Sequence, residues 1–201
     1  MGRKRGIVCG VGVNDYPLPT STGGKHIPEY KMWVNMLFRS HGTTFKEKHP
    51  TYQDVTCDVR WYSLNRFIED VKKIPNYDKA LYDGWCLDKD ILVKGNKVYS
   101  AETCCFVPPI INGLVLTNKA KRGEHLIGTS YSKHAKKFRA YLIDTTNKQQ
   151  HLGYFEDEYL AFLAYADAKQ KQIKEVVQQF NGIIADNVRE ALLQWEVSSD
   201  D

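Results

Sequence analysis

Three charged residues in a row, Asp88-Lys89-Asp90, form the first group in this sequence that could do chemistry. Two carboxylates one residue apart offer oxygen ligands of the kind magnesium prefers. On an extended strand Asp88 and Asp90 share a side and Lys89 takes the other. Lys89 is protonated near neutral pH unless burial lowers its pKa by several units. As an ammonium it can hold a phosphate but cannot accept a proton. A second group lies further on: Ser130, Ser132, His134, Arg139, Tyr141, Gln149 and His151, with Lys133, Lys136 and Lys137 beside them. From Lys119 to Arg139 there are seven Lys/Arg and one acidic residue, Glu124. Such cations close phosphate contacts, and flat polar or aromatic groups meet base edges. The same composition also suits a solvated sheet face.

The elements that must position these residues are partly legible. Lys137 to Asp144 alternates, with Phe138, Ala140 and Leu142 on one side and Arg139, Tyr141 and Ile143 on the other, the period of a half-buried strand. Thr145 to Lys148 supplies turn residues, and Gln150 to Phe155 reads as a further strand. Asp157 is placed to cap a helix carrying Leu160, Ala161, Ala164, Tyr165 and Ala168 at three- and four-residue spacing. Three antiparallel strands with one packed helix leave a free sheet face for the second group. Around the first group, Leu87 to Val93 reads as a strand and Gly95-Asn96 as a hairpin-type turn. Cys104 to Val107 reads as a second strand, with a helix from Ile110.

Elsewhere the pattern is structural. Tyr30 to Arg39 is a helix with Tyr30, Trp33, Val34, Leu37 and Phe38 on one face, and Ser63 or Asn65 starts another with Leu64, Phe67, Ile68 and Val71 inward. Residues 1–28 read as a loop-like arm, with a basic Arg3-Lys4-Arg5 tip. Beyond the sheet, Ile173, Val176, Val177, Phe180, Ile184, Val188, Leu192 and Trp195 form a helical stripe bent or divided at Gly182. The stripe packs on its own unit or pairs with a second copy. His26, His41 and His49 read as surface histidines.

The chain has 201 residues, room for one large domain or two small ones, and 42% hydrophobic residues support real cores. A net charge of +4 is compatible with nucleic acid without being diagnostic. The five cysteines lack paired zinc-site spacing and read as reduced thiols of a cytoplasmic protein. No apolar run approaches membrane-spanning length, and the first residues lack a signal-peptide core.

The stretch from Gly128 to Ala168 resembles the APETALA2/ethylene-response-factor type of DNA-binding domain. Gly128, Phe138-Arg-Ala-Tyr-Leu-Ile, His151-Leu-Gly-Tyr-Phe155 and Ala161-Phe-Leu-Ala-Tyr165 carry the resemblance. It implies that the free sheet face enters the major groove of double-stranded DNA. Where plant members have two arginines on the first strand this chain has Ser130 and Ser132, and where they have two tryptophans it has His134 and His151. Docking mode is therefore expected to carry over better than target sequence.

Residues 29–112 resemble the N-terminal half of phage and bacterial HNH-like proteins that also end in an APETALA2-type domain. Tyr30-Lys-Met-Trp-Val-Asn-Met-Leu, His49-Pro-Thr-Tyr52, Leu87-Asp-Lys-Asp-Ile-Leu and Gly95-Asn-Lys-Val-Tyr-Ser-Ala-Glu-Thr-Cys-Cys-Phe-Val-Pro108 carry this one. It implies a ββα (His-Me finger) module of a homing-endonuclease-like hydrolase. Asp88 then matches the metal-binding position, Lys89 stands where that family has its general-base histidine, and Asn112 matches the later asparagine. Asn96 or Glu102 would support the loop or the metal. The expectation is an α+β protein: an arm over 1–28, an HNH-like module over 29–115, a basic linker over 116–126, an APETALA2-type domain over 127–170 and a helical tail over 171–201. It binds double-stranded DNA in the cytoplasm, that of the host if phage-encoded. It either cuts DNA with magnesium or another divalent metal at Asp88 and Asp90, or reuses a nuclease fold for binding, as a regulator or host-interaction protein. A homodimer through the C-terminal helix is the alternative to packing of the tail on its own unit.

Overall fold

The structure, a computed structural model, describes residues 6–115 and 124–199. The Arg3-Lys4-Arg5 tip and the linker cations Lys119, Lys121 and Arg122 lie outside them. The chain is a mixed α+β protein of small sheets and several helices, in two compact units, Met1–Pro109 and Ile110–Asp201.

In the first unit a short hairpin, β1 (Ser21–Thr22) with β2 (Lys25–His26), leads into α1 (Pro28–His41). Proline suits the first helical turn because its missing N–H has no partner there. The helix buries Trp33, Met36, Leu37 and Ser40. Phe38, expected on the inner face, is 49% exposed, and Met36 occupies the core. After α2 (Thr43–Lys48), a 3-10 turn at Pro50–Tyr52, β3 (Thr56–Cys57) and a second 3-10 turn at Val59–Tyr62 comes α3 (Leu64–Val71). Ser63 caps α3, its Oγ accepting the Arg66 N–H at 3.1 Å. Leu64, Phe67, Ile68 and Val71 are all buried, as their spacing predicts. Asp70 ties this core together: Arg60 Nε donates to it at 2.6 Å and the Trp61 indole at 3.2 Å, while the Trp33 indole donates to the Trp61 carbonyl at 2.7 Å. The arm docks on this core, with Val13 N–H on the Tyr62 carbonyl at 2.8 Å.

Following α4 (Tyr77–Tyr82), β4 (Cys86–Asp88) pairs antiparallel with β6 (Cys105–Val107), Asp88 opposite Cys105. Between them β5 (Val98–Tyr99) pairs parallel with β3. The strand expected to reach Val93 thus ends at Asp88. The helix α5 (Pro109–Val115) follows β6 and crosses the unit boundary.

In the second unit β7 (Thr129–Ser132), β8 (Lys137–Ile143) and β9 (Gln149–Phe155) form one antiparallel sheet in that order. Its covering helix is α6 (Glu158–Gln179), capped by Asp157, whose Oδ1 accepts the Tyr159 and Leu160 N–H groups at 2.8 and 3.1 Å. Ala140, Leu142, Ala161, Phe162 and Tyr165 are buried between them. Phe162 fills the place expected for Leu160, which is 50% exposed. The tail divides at Gly182, where φ is +73°, and continues as α7 (Asp186–Leu193), which packs on α6. Ile173, Val176, Val177, Ile184, Val188, Leu192 and Trp195 are buried within this single chain.

One carboxylate locks helix to sheet. Glu158 Oε1 accepts from the Leu126 N–H at 3.0 Å, the Thr129 hydroxyl at 2.8 Å and His125 Nδ1 at 2.9 Å. Burial works against ionisation, but these donors together hold the carboxyl below the usual glutamate range. A depressed folded-state pKa gives stability that is present above the unfolded value and lost as pH falls through the folded one. Glu158→Gln is therefore expected to flatten the acid limb of a plot of Tm against pH below the ordinary glutamate pKa. An acid limb unchanged by the substitution would mean the lock does not form.

Candidate nucleic-acid interface

The sheet face away from α6 is built from cross-strand rows. Ser130, Arg139 and Tyr154 form one row, Tyr141 and His151 the next, and Ile143 and Gln149 the last; Ser132 pairs with Lys137 at the opposite end. Residues directly opposite on antiparallel strands share a face. The sheet thus brings Ser130, Ser132, Arg139, Tyr141, Gln149 and His151 onto one surface. His134 is not on a strand: it sits exposed in the β7–β8 turn with Lys133 and Lys136. That turn suits a left-handed residue, and Lys136 supplies it with φ +52°. Lys137 is tied to Glu156 by an ion pair of 2.7 Å.

Tyr154 joins this face through an irregularity that alternation alone does not reveal. The β8–β9 register shifts beside Ala140 and Tyr141: His151 faces Tyr141, yet Gly153 faces Ala140. Leu152 is the extra residue and packs on the helix side. Simple alternation from His151 would have put Tyr154 under the helix; the bulge brings it out, 49% exposed, with its ring 4.7 Å from that of His151.

Arg139 is the central cation of the face. Its guanidinium lies 5.2 Å from the Tyr141 ring centroid. Its Nε is buried with no hydrogen-bond partner among the described residues. A buried donor left unpaired is costly, so this Nε adds nothing to the stability of the fold.

The acidic group is built differently from its sequence-based expectation. Asp88 is buried at the end of β4, and its Oδ1 accepts the N–H groups of Asp90 and Ile91 at 2.7 and 2.9 Å. This side-chain turn stops strand alternation at once. Lys89 and Asp90, expected on opposite sides, therefore meet: the ammonium donates to Asp90 Oδ1 and to the Asn96 carbonyl at 3.2 Å. Lys89 is 5% exposed and lies 5.8 Å from the ring centroids of both Tyr52 and Tyr99. Asn96 braces the loop by donating to the Lys89 and Val98 carbonyls at 2.7 and 2.8 Å. Tyr52, Tyr99 and Arg39, which bonds the Tyr99 side chain, belong to this cluster through contacts from other segments that spacing does not disclose. Burial, reinforced by the Asp90 charge, raises the Asp88 pKa. Asn112 stands half-buried on α5, in the other unit. Glu102 is exposed.

Asp88 Oδ1 is engaged by the turn, and a buried cation already occupies Asp90. Among the described residues no three His, Cys, Asp or Glu side chains converge. Asp88→Ala is expected to lower stability by about 1–3 kcal/mol, by stranding two backbone N–H groups. Asp88→Asn, which keeps an acceptor oxygen, should lose less than half of that. The Tm values of both variants should be the same with magnesium or EDTA. A magnesium-dependent rise in Tm that only Asp88 supports would overturn this account of the turn.

His41, expected at the surface, is half-buried, with Nε2 3.5 Å from Cys57 Sγ, and burial lowers its pKa. All five cysteines are free thiols. No helix among the described residues is long and apolar enough to cross a membrane. Compared with protein-family models, with curated proteins and with solved structures, the chain gives no match in any of the three.

Proposed function

We propose that this chain binds double-stranded DNA through the free face of β7–β9, as a homing-endonuclease-like protein that has kept a nuclease-like fold for binding. The observation that carries the reading is Arg139: a central guanidinium over the Tyr141 ring, on a face lined by hydroxyl, amide, imidazole and phenol groups together with Lys137 and the exposed Ile143. The basic β7–β8 turn gives that face a phosphate-binding rim. The sequence resemblance to the APETALA2 type supports the same docking. Along the chain β4, β6 and α5 follow in the order of an HNH-like ββα module, with β5 between the strands and α5 running across the unit boundary. The Asp88-Lys89-Asp90 turn then serves as a structural lock, with Lys89 a donor in the place of the base. The buried tail stripe favours a monomer over pairing through α7.

The test is duplex binding by the full chain across a salt series. Log affinity should fall linearly with log salt, and Lys133→Ala with Lys136→Ala should weaken all duplexes alike and flatten the slope by about two units. No duplex binding at low salt would end the proposal. Magnesium-dependent plasmid nicking by the wild type, lost in Asp88→Ala, would restore the nuclease reading.

A further inference from the structure

Resting on DNA binding by this face, we infer that the sheet reads a composite site, with a guanine under Arg139 and an A·T pair under Gln149 and Ile143. Three strands span about 10 Å across, whereas β8, with seven residues, is about 22 Å long. The major groove is about 12 Å wide, so the sheet fits only with its strands running along the groove. Rows of the face then follow successive bases. Arg139 stands nearer the basic turn, and its fork suits guanine O6 and N7. Four residues further along β8, about 13 Å away, Ile143 is paired with Gln149. That distance corresponds to about three to four base steps along the groove.

The Ile143–Gln149 row has its own chemistry. Ile143 is 52% exposed, a large aliphatic side chain on an otherwise polar face. Gln149 is exposed beside it. A glutamine amide pairs with adenine N6 and N7, and an aliphatic group contacts the thymine methyl. Adjacent strands thus carry the two recognition groups that a single A·T pair presents in the major groove. Lys148 and Asp144 flank this end, and Asp144 is engaged by Thr146 and the Lys148 N–H. Neither Ile143 nor Gln149 carries a charge, so the contribution of the row itself is to base choice.

Selection from a pool of random duplexes by the full chain tests this. The wild type should enrich a guanine and an A·T pair about three to four steps apart. Gln149→Ala and Ile143→Ala should each cost about tenfold or more at the A·T position while keeping the guanine preference. Replacing that thymine by deoxyuridine should weaken the wild type severalfold and leave Ile143→Ala unaffected. Enrichment of a motif without the A·T pair, or one unchanged in both variants, would overturn the inference while leaving DNA binding standing. Failure to retain any duplex would overturn both.

Discussion

Gly128→Ala is expected to unfold the second unit at temperatures where the wild type is intact. Gly128 has φ +75°, and a Cβ there would lie 2.1 Å from two ring atoms of Tyr165. Tyr165 is buried against Leu142 and Phe162, so its ring has no free direction in which to move. The left-handed backbone costs a side chain about 1–2 kcal/mol, and forcing an extra carbon into a packed core adds about 1–3 kcal/mol. The sum, about 2–5 kcal/mol, is a large part of the stability of a small domain. A drop in Tm of roughly 10 °C or more should follow. Gly182→Ala is the control, since its φ of +73° is similar but its Cβ would meet nothing within 4 Å. It should show only the backbone cost. Equal effects at both glycines would mean that the sheet does not sit against Tyr165.

Arg139→Ala should have the largest effect on binding. The substitution removes an unpaired buried Nε, so little stability is lost with it. Its loss should cost about 1–3 kcal/mol against the preferred sequence and little against random duplex. Adding Tyr141→Ala removes the ring that holds the guanidinium, and adding His151→Ala removes the opposite partner of that ring. The triple variant should bind all sequences with one affinity, retaining the salt dependence of its lysines. Band-shift competition between specific and random duplex measures this. A triple variant that still discriminates would place base reading elsewhere.

Much of the second unit was legible because its signals are local. The alternation from Phe138 to Ile143, the Asp157 cap and the break at Gly182 each depend on near neighbours, and each appears in the structure. Tyr154 was not legible, because a bulge at Leu152 shifts it between faces and alternation assumes an unbroken ladder. In the first unit, Leu64, Phe67, Ile68 and Val71 followed their spacing, while Phe38 and Met36 exchanged places because neighbouring segments decide which edge of a helix is covered. The acidic turn shows the same limit at higher stakes. Period two predicted Asp90 beside Asp88, but one side-chain turn from Asp88 ended the strand and delivered Lys89 to Asp90. The ring of Tyr52 near Lys89 comes from a segment far along the chain and that of Tyr99 from the strand after the Asn96 turn, and strand alternation discloses neither.

The most direct test of the central claim is a backbone amide titration of the full chain with a duplex, followed by NMR. Binding by the free face predicts shifts at Ser130, Arg139, Tyr141, Ile143, Gln149, His151 and Tyr154, with Lys133 and Lys136 at the rim. The buried core of α6, around Ala161 and Tyr165, should stay still. Shifts confined to the first unit or to the exposed side of α6, with the β7–β9 face silent, would contradict it.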